Sequence, residues 1–128
     1  MTLQTNDVLT LSSSINGGTK GDLDLHVVGC WLEGECQKRG EQHAIIDTPQ
    51  EIELISAPSP PSTWRVVTWV SIRNSHTVQA HVVITLDDAD AVSVTLVDLE
   101  LQPSETLLYD GSQWRVFNGD LYPYIHTV

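Results

Sequence analysis

The side chains of this chain that could do chemistry are few. They are two cysteines, five histidines, an acidic turn and a run of serines. Cys30 and Cys36 are separated by five residues, with His26 and His43 on either side. A structural zinc site needs four ligands, usually with cysteines in CxxC-type pairs, and neither spacing here meets that pattern. A disulfide between the two would need an oxidising compartment, so free thiols are expected. His26, His43, His76, His81 and His126 include no pair at ligand spacing on one strand face, so they are expected at the surface. Asp87, Asp88 and Asp90 could offer oxygens to Ca²⁺, but they lack the twelve-residue loop with a central glycine and a terminal glutamate. A solvated hairpin tip explains them better. Ser12, Ser13 and Ser14 have no base nearby in sequence. There is no nucleophile elbow, zinc-protease helix, phosphate loop or dinucleotide fingerprint. The expectation is a protein without enzymatic activity and without a cofactor or metal.

Four tryptophans remain. Trp64 and Trp114 fall on strand positions that face a core, so packing accounts for them. Trp69 falls on a mixed face between Arg65 and Arg73, where it either covers a second cluster or meets a partner. A platform of Trp69 and polar neighbours would also suit sugar stacking, as in a carbohydrate-binding module.

Charge narrows the partners. Seventeen acidic residues oppose six basic ones, a formal charge of −11. Nucleic-acid binding needs clustered Lys and Arg to meet phosphates, and the basic residues here are scattered. No apolar run approaches the ~20 residues of a membrane-spanning helix. Residues 1–20 show no basic segment followed by an apolar core, so no signal peptide is read and assembly in a reducing cytoplasm is expected.

The elements that must position these residues are strands. Short alternating runs rich in Val, Ile, Leu, Thr and Trp are separated by Gly, Pro, Asn, Asp and Ser, and helical periodicity is nearly absent. Nine strands are expected: 8–12, 23–32, 43–47, 51–56, 64–74, 78–86, 91–101, 107–109 and 114–117. Glu33–Glu41 reads as an exposed charged loop. Ala57–Ser62, with three prolines, reads as an extended crossover between two halves of the fold.

Strand positions carry burial expectations. In 64–74 the even positions Trp64, Val66, Val70 and Ile72 should face the core. In 78–86 the inward set is Val78, Ala80, Val82, Ile84 and Leu86. In 91–101 the apolar residues change phase, from Val92, Val94 and Leu96 to Val97, Leu99 and Leu101. A regular strand would expose one set, so a β-bulge is expected near Leu96 and Val97, with Val94 and Leu99 both buried. Together these expectations describe an all-β single antiparallel β-sandwich, jelly-roll-like or Ig-like, of eight or nine short strands. It would span residues 1–128 as one domain with an extended C-terminal tail, 120–128. Tyr122, Tyr124 and Ile125 make that tail aromatic, and with Trp69 they are the candidate partner-interface residues.

The C-terminal half has a more specific signature. Arg73-Asn74 is followed by Leu101, Pro103, Glu105, Leu107, Tyr109, Asp110-Gly111 and Trp114-Arg115-Val116. Over roughly residues 55–119 this series resembles the C-terminal half of small virion proteins of tailed phages. The resemblance implies a β-rich structural protein of a bacteriophage particle. The leading expectation is a capsid cement or decoration protein on the capsid exterior. It would bind the major capsid protein, and self-associate as a trimer or dimer, without touching nucleic acid or membrane. A head–tail connector or tail-fibre component is the first alternative, a carbohydrate-binding module the second, and a small cupin-like enzyme the least supported.

Overall fold

The computed structural model describes residues 1–15, 21–34, 37–60, 62–88, 92–118 and 126–127. These form β1 (Thr2–Gln4), β2 (Val8–Ser14), β3 (Leu25–Glu33), β4 (Lys38–Ile46), β5 (Gln50–Ile55), β6 (Trp64–Asn74), β7 (Ala80–Asp87), β8 (Ser93–Leu101), β9 (Thr106–Tyr109), β10 (Trp114–Phe117) and β11 (His126–Thr127). The nine expected strands are β2 to β10. β1 and β11 raise the count above the expected eight or nine, because two- and three-residue strands carry too little alternation to read.

The strands make two antiparallel sheets. The larger runs β11-β10-β9-β6-β3-β4, with β1 beside the first part of β6. The smaller runs β5-β2-β7-β8. Hairpins within one sheet join β3 to β4, β7 to β8 and β9 to β10, β11 returns to the same sheet as β10, and the other connections cross between sheets. The proline-rich segment is one such crossover, from β5 to β6. Residues Leu9, Leu11, Val82 and Ile84 of the smaller sheet and Leu25, Val70, Ile72 and Leu107 of the larger sheet form the core between them. Burying each such side chain contributes roughly 1.5–3 kcal/mol relative to leaving it exposed.

Several expectations need correction. Lys38–Glu41 is not loop but the start of β4, paired with Leu32, Trp31 and their neighbours in β3. Polar residues suit it because β4 is an edge strand with one face in solvent. β6 changes phase. Cys30 pairs with Trp69 and Trp31 pairs with Val67, so Thr68 is a bulged residue. Arg65 and Val67 are therefore buried, while Trp64 and Val66 are only partly covered. Val78 precedes β7 and is 39% exposed instead of inward.

The bulge in β8 lies where the phase change put it. Ile84 pairs with Val97 and Thr85 with Thr95, leaving Leu96 as the extra residue. Val97 and Leu101 are buried, and Leu99 packs partly against the core. Val94, however, is 52% exposed although it pairs with inward-facing Leu86. The start of this edge strand runs past the cover of the opposite sheet. Of the expected tail 120–128, His126 and Thr127 return to pair with Val116 and Arg115 of β10. Tyr122, Tyr124 and Ile125 lie outside the described residues.

Candidate functional site

The residues of the Arg73–Val116 series gather at the two ends of β9, with Tyr109 and Trp114 at one end and, at the other, Asn74, whose exposure is nil. Its side-chain amide donates to the carbonyl oxygens of Val78 (2.9 Å) and Leu101 (3.0 Å), and its Oδ1 accepts from the His76 N–H at 3.0 Å. Its backbone N–H donates to Glu105 O and its carbonyl accepts from the Ser104 N–H, both at 2.9 Å. Pro103 and Ser104 turn the chain from β8 to β9. Ser104 has φ 70°, as the third residue of a type II turn requires after proline. The Glu105 carboxylate closes that turn by accepting from the Gln102 N–H at 2.7 Å. Gly111 takes φ 99° in the next hairpin, where Asp110 Oδ1 accepts from the N–H groups of Ser112 and Gln113 at 2.9 and 3.0 Å. Tyr109 and Trp114 stack across the strands at 4.9 Å.

Almost every member of the series thus serves the fold. Arg73 and Arg115 do not. Arg73 pairs with His26 and Arg115 with Leu108, on the side of the larger sheet that faces away from the core. The register lays Ile45, His26, Arg73, Thr106 and Phe117 in one row across five strands of that outer face. A second row is His43, Val28, Ser71, Leu108 and Arg115, and a third holds Glu41, Cys30 and Trp69. Ile45 is 67% exposed and Trp69 41% exposed. Trp69 is therefore on the surface, as the partner-contact reading requires.

Two shallow depressions mark this face. One, of about 320 Å³, lies between Cys30, Leu32, Arg39 and Thr68. The other, of about 410 Å³, lies between His26, Val28, His43 and Ile45. Each histidine is engaged by the carboxylate two residues before it on the same strand face. His26 Nε2 meets Asp24 at 2.9 Å and His43 Nε2 meets Glu41 at 2.7 Å. Cys30 is a free thiol whose pKa is pushed up by burial and then by Glu41, which disfavours the reactive thiolate. Cys36 lies outside the described residues.

Two ionic clusters escaped the reading of the sequence. Arg65, 6% exposed, donates from Nε and Nη2 to both oxygens of Glu33 at 2.8 and 3.0 Å. Its Nη1 reaches Ser56 O and Oγ at 2.8 and 2.9 Å, which ties down the crossover. Its guanidinium lies 4.6 Å from the Trp31 ring centre, and Trp31 lies flat on Gly40, where any Cβ would collide with the indole. The bulge at Thr68 turns Arg65 inward, and the apolar run Val66, Val67, Trp69 and Val70 gives no sign of it in the sequence.

The second cluster is on the outer face of the smaller sheet. His81 Nδ1 meets Glu100 at 2.6 Å and its Nε2 meets Asp98 at 2.7 Å. The hydrogen bond to Glu100 leads in raising the His81 pKa, and the same bond leads in lowering that of Glu100. His81 is thus half-buried and bridged by carboxylates, not a free surface histidine. Among the described residues no three His, Cys, Asp or Glu side chains are grouped to hold a metal ion. No family model, curated protein or solved structure matches the chain.

Proposed function

We propose that this chain is a non-enzymatic structural protein of a tailed-bacteriophage particle, a cement or decoration protein that binds the major capsid protein on the outside of the head. The carrying observation is the division of labour within the phage-like series. Its apolar, turn and aromatic members pack along β9, from the turn held by Asn74 to the Tyr109–Trp114 pair, and its two arginines point out on the face that also carries Trp69 and Ile45. Exposed aromatic, aliphatic and arginine side chains on a rigid sheet are the composition of a protein-contact surface. Many weak copies on a lattice stabilise it by mass action.

The test is to produce the chain in cells making the heads and tails of the phage that encodes it and to separate heads from tails. Recovery with heads supports the reading. Recovery only with tails replaces it with the connector or fibre alternative. Exposure of Trp69 on a flat face also favours the carbohydrate-binding reading, and retention on immobilised polysaccharide that Trp69→Ala abolishes would establish it instead.

A further inference from the structure

The charges of this sandwich are divided between its two outer faces. All five Lys and Arg of the described residues, Lys38, Arg39, Arg65, Arg73 and Arg115, are on strands of the larger sheet. The strands of the smaller sheet hold none. They carry Glu51, Glu53, Asp87, Asp98 and Glu100, and the register turns all five outward. Among the described residues, His81 is the one group on that face that can carry a positive charge, and Thr10, Ser12, Val83 and Thr85 lie between the carboxylates.

On the larger sheet, Arg65 is turned inward and consumed by Glu33. Arg39, Arg73 and Arg115 face outward with two carboxylates, Glu41, which is engaged by His43, and Asp24 just before β3, which is engaged by His26. Arg115 lies against the Gln113 amide. Among the described residues, neither Arg39 nor Arg73 makes an ion pair. In a chain of net charge −11 this face gathers the outward arginines, with Trp69 and Ile45 set among them and Asp110 near Arg115.

From this we infer that the outer face of the larger sheet receives the acidic outer face of the smaller sheet of a second copy, so that copies associate head to tail. The inference rests on reading the larger sheet's outer face as a protein-contact surface; it gives that face to a second copy within a row, and the copy at the row's end keeps the face free for the capsid. Two faces of like kind would bring the three outward arginines of one copy toward those of the other, or five outward carboxylates toward five. Like charges brought together at a contact cost several kcal/mol, so an isologous pair is selected against. The heterologous pair places opposite charges together and covers Trp69. Sheets stacked at about 10 Å with near-aligned strands would let arginine side chains reach the facing carboxylates. Such contacts close into a ring when the rotation permits and otherwise extend. At physiological salt the field of the net charge is screened over about 8 Å, whereas groups in contact still attract.

The experiment uses sedimentation velocity over a concentration series of the full chain and two charge-reversed variants. One is Arg73→Glu/Arg115→Glu, on the arginine-bearing face. The other is Glu51→Lys/Glu53→Lys, on the acidic face. The wild-type chain should self-associate, and each variant alone should associate at least tenfold more weakly. An equimolar mixture should recover association, because each variant keeps one native face and the reversed faces match each other. Circular dichroism and melting confirm folding. If Arg73→Glu disturbs it, Arg39→Glu/Arg115→Glu is read the same way.

A wild-type chain that stays monomeric overturns the inference, as does a mixture that stays dissociated. If one variant associates as the wild type does, the contact is isologous or lies elsewhere, which also overturns it. Self-association of a chain that never binds heads leaves this contact standing and removes the cement reading alone.

Discussion

Asn74 of the larger sheet donates a 3.0 Å hydrogen bond to the carbonyl oxygen of Leu101, the last residue of β8 in the smaller sheet. This bond ties the two sheets together where the chain passes from one to the other through Pro103. Removing the Asn74 side chain leaves the carbonyls of Val78 and Leu101 and the His76 N–H without their partner. An unsatisfied buried polar group costs about 1–3 kcal/mol. Leu101 O is the fully buried one of the three, so Asn74→Ala should lower unfolding stability by about 1–3 kcal/mol, read from chemical denaturation. A loss under about 1 kcal/mol would mean that water replaces the amide without penalty.

Breaking the Arg65–Glu33 pair from one side should be worse than removing both charges. Arg65→Met strands the Glu33 carboxylate and frees the crossover at Ser56. It should destabilise by about 3–5 kcal/mol. Adding Glu33→Gln should recover part of that loss in a double-mutant cycle. Additive losses would show that the two side chains do not share one buried interaction.

Acidity should act through His81. Its raised pKa means that its contribution is fully present below the ordinary value of 6.5 and fades as pH rises through the folded-state value. The lowered pKa of Glu100 means that the carboxylate's contribution is present above its ordinary value of 4.5 and fades as pH falls through the folded-state value. The bridge is thus strongest between these two ordinary values. His81→Gln should lower the melting temperature most within that window, and by less both above the raised folded-state value of His81 and below the lowered one of Glu100. Parallel pH profiles for the two proteins would contradict the assignment. The size should be about 1 kcal/mol or less, because the group is partly solvated.

Trp114 should behave as a core residue. It is 8% exposed and stacks on Tyr109, so Trp114→Ala should cost about 3–5 kcal/mol. An unchanged melting temperature with lost ligand binding would place Trp114 in a site.

Much of this fold was legible because alternation reports burial directly. The shift from Val94 to Val97 marked the β8 bulge without any structure. The β6 bulge at Thr68 was silent, since Val66, Val67, Trp69 and Val70 are all apolar and show no change of phase. That silence hid the inward turn of Arg65 and the pair with Glu33. Exposure of Val94 was hidden for a different reason, because coverage at a sheet edge depends on the opposite sheet. The outer face was half legible. Trp69 stood out on a mixed strand face, but its alignment with Arg73, Arg115 and Ile45 depends on cross-strand register, which pattern alone does not supply.

The most direct test of the capsid reading is the heat stability of heads that lack this chain, before and after adding it back. The account predicts that the wild-type protein binds such heads and raises the temperature at which the shell opens. Trp69→Asp, on the exposed face, should bind more weakly and raise it less while melting alone like the wild type. Heads that open at the same temperature with or without the wild-type protein, with no protein bound, would contradict the account.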